Sequence, residues 1–241
     1  MPLPVTKNII EVFWGVIALF FPLYCDSCSA NVSKKCFPVC QGCRESISYI
    51  DGPEVFDDIA CAEISGYFSI GLYDGVLKNL ISGFKYRNKK YLAPFFAGEL
   101  TRRFKRCNLF NTNYLSDFDV IIPVPLHESK LKTRGFNQSE LLALEIGKIT
   151  GVEVRANAVS RIKETREQNK LHYKERFINV QDAFEINYKN DCQIKSKNVI
   201  IVDDIVTTAA TVKSLARLLK KHGALDIFVL SAARTVAVAK S

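Results

Sequence analysis

Residues 199–211 constrain this chain more than any other stretch. They read Val-Ile-Ile-Val, Asp203-Asp204, Ile-Val, Thr207-Thr208-Ala209-Ala210-Thr211, and they open into an apolar-periodic run that reaches Leu219. Four consecutive β-branched residues predict a short strand buried on both faces, as in a parallel sheet. The Thr/Ala turn brings hydroxyls and unhindered backbone N–H groups to the start of a helix, where orphan donors and the helix dipole favour an anion. Two carboxylates at the strand's end can accept hydrogen bonds from sugar hydroxyls or help hold a divalent cation. The combination predicts a phosphorylated-sugar site. The plainer alternative is a strand-to-helix turn with Asp203 and Asp204 as caps.

Val202-Asp203-Asp204-x-x-Thr207-Thr208 resembles the phosphoribosyl pyrophosphate (PRPP) motif of type I phosphoribosyltransferases, which usually continues Gly-x-Thr. The resemblance implies that the acids contact the ribose 2′ and 3′ hydroxyls and that the loop Thr207, Thr208, Ala209, Ala210 and Thr211 holds the 5′-phosphate. Ala209 stands where Gly is usual. Glycine serves where φ is positive or where backbone approaches a phosphate closely.

With 241 residues the chain is long enough for one sizeable core and a small accessory unit. Hydrophobic residues at 48% and charged residues at 24% are an ordinary globular balance, which argues against a disordered or fibrous chain. The net charge of +8 permits a polyanionic partner without requiring one. Six of the eight cysteines lie between Cys25 and Cys61, and four of them form two Cys-x-x-Cys pairs separated by eleven residues. Such clustering is too local for a disulfide framework. Cys25, Cys28, Cys40 and Cys43 would supply four thiolates from two tight knuckles, a closed tetrahedral set for structural zinc in a reducing compartment. Cys36 is a fifth candidate that could replace Cys40, and unliganded buried cysteines are the alternative to a metal.

Residues 9–24 are strongly apolar but interrupted by Glu11 and ended by Pro22, short of the roughly 18–20 residues that span a bilayer. They lack the flanks of a signal peptide. They read as a helix packed on the protein's own core or as an interfacial helix at a membrane surface. A polar segment containing Gly52-Pro53 follows the cysteines and reads as a linker, so the expected division is residues 1–58 and 59–241. Residues 64–73 predict a strand, and Asp74 a cap for a helix carrying Val76, Leu77, Leu80 and Ile81. Lys85, Tyr86, Arg87, Lys89 and Lys90 then alternate basic and aromatic character. Cations tracking phosphates and rings stacking on bases are what a single-stranded nucleic-acid groove uses; a solvated helix face with its aromatics turned inward has the same composition. Residues 120–122 predict a second buried strand, ending in the stiff turn Pro123-Val124-Pro125, whose Val124–Pro125 bond is open to the cis form. Arg134, just before a helix over 139–148 capped by Asn137, forms a second anion site. His222-Gly223 predicts a helix stop, and 226–232 a last strand.

Pro-Val-Pro, Arg134-Gly-Phe-Asn-Gln138, Thr165-x-x-Gln168, Arg176-x-x-Asn179-Val180-x-x-Ala183-Phe184 and the Asp-Asp motif, in that order, resemble the ComF family, whose members also carry an N-terminal cysteine zinc module. The resemblance runs from Cys25 to about Arg234. It implies an α/β type I phosphoribosyltransferase fold, a parallel sheet with helices on both faces, preceded by the zinc module. It implies PRPP bound with Mg²⁺, with Pro123, Val124, Pro125 and Arg134 near the pyrophosphate and Arg166, Gln168 and Arg176 in a flap closing over it. In a transfer reaction Asp203 and Asp204 would stabilise the positive sugar centre left by pyrophosphate, while Arg134 and Mg²⁺ would stabilise the leaving group.

ComF-family proteins are linked to natural transformation. The resemblance therefore implies handling of incoming single-stranded DNA in the cytoplasm, at or near the inner face of the membrane, with a competence helicase or the membrane translocation machinery as partner. The alternative is an active phosphoribosyltransferase of nucleotide metabolism that transfers ribose 5-phosphate from PRPP to a base or amine. No acceptor-base pocket and no amidotransferase nucleophile can be read from the residues, so they speak for binding more directly than for catalysis.

Overall fold

Five strands pair as one wholly parallel sheet in the computed structural model, which describes residues 22–50, 61–107, 115–163, 183–187 and 194–235. They are β1 (Gly66–Leu72), β2 (Val120–Pro123), β3 (Glu153–Val154), β6 (Val199–Val206) and β7 (Ile227–Arg234), in the spatial order β1-β7-β6-β2-β3. A separate antiparallel pair joins β4 (Val159–Arg161) to β5 (Phe184–Ile186). The helices are α1 (Gln41–Glu45), α2 (Gly75–Tyr86), α3 (Ala93–Cys107), α4 (Glu128–Arg134), α5 (Gln138–Thr150) and α6 (Ala210–Lys221).

Strand period 2 sends successive side chains of β6 to opposite faces. Val199 and Ile201 join the core formed with Val212, Leu215, Ala216 and Leu219 of α6 and with Phe184 and Ile186 of β5. Ile200 lies in register with Phe228 of β7, whose ring meets Phe104 of α3 edge-on at 5.5 Å. Helices thus cover both faces, which is why the central strands read as unbroken apolar runs. The hydroxyl of Tyr67 on β1 meets Ser231 on β7 at 2.7 Å inside this layer, satisfying both buried groups.

The strand carrying the acid pair is longer than its four β-branched residues predict. β6 continues through Asp203 and Asp204 to Val206, because Asp203, Ile205 and Val206 stay in register with Ser231, Ala233 and Arg234 of β7. Along its other edge it pairs with β2 only as far as Val202, opposite Pro123. The last strand likewise runs on to Arg234, and α5 begins one residue earlier and ends two residues later than residues 139–148. Asp74 occupies the N-cap position of α2 without a side-chain capping bond. The Val124–Pro125 peptide is trans; among the described residues only Phe37–Pro38 is cis.

The chain divides into two compact units, Met1–Ile47 and Ser48–Ser241. The division falls earlier than residue 58 because Tyr49 bridges to Gly71 of β1, and Ser48 accepts from Leu72 at 2.9 Å. A β-carbon on Gly71 would collide with the Ser48 carbonyl oxygen, so this approach requires glycine. Of the apolar run at 9–24, all but the last three residues lie outside the described part. Among the described residues no helix is long and apolar enough to cross a membrane.

Candidate functional site

The connections out of β2 and β6 diverge. From β2 the chain passes through α4 and α5 to β3 on one side; from β6 it passes through α6 to β7 on the other. Neighbouring parallel strands whose connections leave in opposite directions open a crevice beyond their carboxyl ends, where ligands collect in such sheets. The Asp203–Asp204 pair, the Thr207–Thr211 loop and the Pro123–Pro125 turn with Arg134 all stand at this end.

Each acid is tied to a different helix. Asp204, 7% exposed, forms an ion pair with Lys85 in the last turn of α2, Nζ to Oδ1 2.9 Å. Asp203 accepts from the Ser139 hydroxyl at the start of α5 at 3.0 Å and from the Asp204 amide at 2.9 Å. Burial and the adjacent Asp204 charge push Asp203 up to about 7, against the pull of the Lys85 ammonium. Burial by itself would lower Lys85, but the Asp204 carboxylate overrides it, so Lys85 is raised and stays charged. Beneath the pair, Tyr67 is driven up to about 12 by burial and remains a neutral hydrogen-bonding group.

The loop after β6 encloses a small recess. Asp203, Thr207, Thr208, Ala209, Ala210 and Thr211 line a recess of about 30 Å³ at the N-terminus of α6. Ala209 holds the left-handed conformation, φ 56° and ψ 1°, at the N-cap of that helix. The position usually given to glycine therefore keeps its geometry here, with a methyl group bearing the strain.

The Pro123–Pro125 turn is built differently from an anion cradle. The prolines have no N–H, and Val124 donates its own to the Val202 carbonyl at 2.9 Å, so these three residues keep no backbone donor for a ligand. Val124 instead anchors the start of α5: Asn137 donates to the Val124 carbonyl at 3.0 Å, and its Oδ1 caps the helix through the Ser139 amide at 3.1 Å. The cation of this region is Arg134. Its guanidinium lies 5.3 Å from the centre of the Tyr86 ring and 3.4 Å from Gln138 Oε1, beside the left-handed Gly135.

The basic-aromatic stretch divides. Lys85 turns inward to Asp204, with a side chain 13% exposed, and is not part of an outer surface. Tyr86 is 63% exposed, and Arg87 and Lys90 are exposed, with Lys90 4.9 Å from the Phe136 ring centre. Lys89 packs along Gly83 and is half-buried. Arg166, Gln168 and Arg176 lie outside the described residues. Ser139, Gln138 and Tyr67 were not singled out individually from the sequence for the site. The Arg-Gly-Phe-Asn-Gln run pointed to their neighbourhood only for the first two.

In the first unit the Sγ atoms of Cys25, Cys28, Cys40 and Cys43 all lie within 4.8 Å of one another, a set that could hold a metal ion. Cys36 stands apart from it. Burial would raise the Cys25 thiol, but the backbone N–H groups of Cys28, Cys40 and Ser27 bring it down to about 6. Burial and the neighbouring thiols push Cys43 up to about 12. Four converging sulfurs cannot all ionise without a cation among them.

The phosphoribosyl transferase domain family matches residues 142–239, which include the acid pair and its loop. Competence protein F of Haemophilus influenzae is 29% identical over 87% of this chain and 90% of its own length. Competence protein ComFC of Bacillus subtilis is 24% identical over 88% and 85%. DNA utilization protein YhgH of Shigella flexneri is 35% identical, but the match spans only about half of either chain, 49% and 50%. The phosphoribosyl transferase domain match, on a parallel sheet whose strand β6 carries the acid-threonine motif, gives this chain a type I phosphoribosyltransferase fold, and over most of its length the chain is similar to the two competence proteins.

Proposed function

We propose that the protein binds PRPP with Mg²⁺ beyond the ends of β2 and β6 and serves in handling single-stranded DNA during DNA uptake. The observation that carries the sugar-phosphate reading is the pairing of Asp203 and Asp204 with a threonine loop whose Ala209 adopts the left-handed conformation. In this reading the N-terminus of α6 and the hydroxyls of Thr207, Thr208 and Thr211 receive the 5′-phosphate. The carboxylates accept from the ribose hydroxyls, and Arg134 meets the pyrophosphate. Mg²⁺, held by the ligand's oxygens and by Asp203 or Asp204, would supply charge neutralisation on the leaving group.

The DNA part rests on the competence-protein relatives and on the exposed row Tyr86, Arg87 and Lys90. A ring for stacking beside cations for phosphates suits an unpaired strand. The four-cysteine set is read as a structural zinc site. With zinc–sulfur bonds of about 2.3 Å a tetrahedron has sulfurs about 3.8 Å apart, and Cys28 and Cys40 are 3.7 Å apart.

Calorimetric titration of PRPP with Mg²⁺ into the wild type and Asp203→Asn/Asp204→Asn tests the site, with oligonucleotide binding followed by anisotropy in the same samples. Saturable PRPP binding that the double variant loses, with DNA binding intact, is the expected result. A wild type that does not bind PRPP would end the sugar-phosphate reading.

A further inference from the structure

Lys85 is a buried cation in the acid pair, and the proposed ligand does not account for it. It follows Phe84, whose ring is packed between Phe96 at 5.6 Å and Phe136 at 6.0 Å, so the last turn of α2 is held against the start of α5. Leu77 and Ile81, each one turn apart, form the buried stripe that Lys85 extends. The C-terminal turn of a helix favours a cation, and Asp204 meets it with both side chains largely out of water, 13% and 10% exposed. The ammonium makes the group one charge more positive than a bare acid pair in the same protonation state.

That difference bears on metal binding. A hydrated divalent cation approaching the bare pair would find two carboxylates; here it finds one already neutralised and a fixed ammonium behind it. Repulsion between that ammonium and a doubly charged ion at a few ångströms is not screened by water in a buried group. A metal already chelated by a diphosphate brings its own negative charge and does not meet the same barrier. We infer that Lys85 is a positioning residue, the resident counter-cation of Asp204, which keeps divalent metal off the acid pair unless the metal arrives bound to the sugar diphosphate. The inference rests on the reading of Asp203 and Asp204 as the sugar site, yet it concerns the ligand-free protein and can be tested there.

The experiment is a Mn²⁺ titration of the full zinc-loaded chain without PRPP, followed by the electron paramagnetic resonance amplitude of free Mn²⁺. The wild type and Lys85→Arg are expected to show no saturable Mn²⁺ uptake at the acid pair, whereas Lys85→Met gains a saturable site there. Lys85→Met/Asp204→Asn loses it again. Lys85→Gln, which keeps a donor toward Asp204 without the charge, carries the same expectation should Lys85→Met not fold by circular dichroism. Uptake by the wild type that Asp204→Asn abolishes, or no gain in a folded charge-free variant, overturns the inference. Gain of the Mn²⁺ site in a protein whose wild type fails to bind PRPP would uphold the role of Lys85 and remove the sugar-phosphate reading instead.

Discussion

Ser139 and Asp203, 64 positions apart, are joined by a 3.0 Å hydrogen bond from the serine hydroxyl to the carboxylate, which links the start of α5 to the acid strand. The bond favours the charged carboxylate, while burial and Asp204 oppose it and leave Asp203 near 7 instead of the usual 3.8. A carboxyl raised in the folded state binds its proton more tightly there than when unfolded. Its contribution to stability is complete below about 3.8 and is lost as pH rises through about 7. Relative to Asp203→Asn, the wild type should therefore lose stability between pH 4 and pH 8. Ser139→Ala should move that loss to higher pH, by removing a donor to the ionised form. Thermal unfolding of the three proteins across this range is the check, and parallel curves would contradict it.

Ala209 has φ 56°, a conformation that costs an L-residue about 1–2 kcal/mol relative to the right-handed region. Ala209→Gly should relieve that strain and give back part of it through unfolded-chain entropy, for a net gain of about 0.5 kcal/mol. Ala209→Val should lose about 2 kcal/mol, since a β-branched residue resists positive φ. Urea denaturation distinguishes these signs, and the glycine variant is expected to bind PRPP at least as well.

The four convergent thiols predict one zinc per chain, measured by elemental analysis. Cys28→Ser and Cys43→Ser should each lose the metal, while Cys36→Ser, altering a cysteine outside the set, should retain it. Zinc lost from the Cys36 variant and kept in the Cys43 variant would point to a different ligand set.

Tyr86→Ala should weaken binding to a single-stranded oligonucleotide by about 1–3 kcal/mol, the usual worth of a stacking ring. Arg87→Ala should weaken it and also flatten its dependence on salt by about one phosphate contact. Anisotropy at several salt concentrations separates these effects. An unchanged affinity in both variants would move the DNA surface elsewhere.

The strand, threonine loop and helix of the acid motif were legible because one short run combined unbroken β-branched residues with a turn and an apolar period. The cysteine set was legible from its spacing alone. Lys85 was not, because alternation of basic and aromatic residues suggested an outer groove. The helical period carried the correcting signal: Lys85 is four residues after Ile81, itself four after Leu77, and so belongs to the buried stripe. Ser139 and Tyr67 were invisible for a different reason. Their partners, Asp203 and Ser231, lie 64 and 164 residues away, and only the pairing of strands and helices brings them together. The prolines of the Pro123–Pro125 turn are plain in the sequence, but the loss of its one N–H to Val202 depends on where β2 ends.

Strand β6 pairs with β2 only up to Val202 and with β7 along its whole length. Its amides should therefore exchange with solvent deuterium in two regimes. Residues 199–202, flanked on both sides, should open only with the whole sheet, whereas residues 203–206 need only local loosening. The Asp204 amide adds a further distinction, for it donates to the Asp203 carboxylate. Its protection factor reports the condition of a single side chain. Any ligand, metal or proton that engages Asp203 will change the rate at which Asp204 exchanges, giving a label-free reporter within the motif itself.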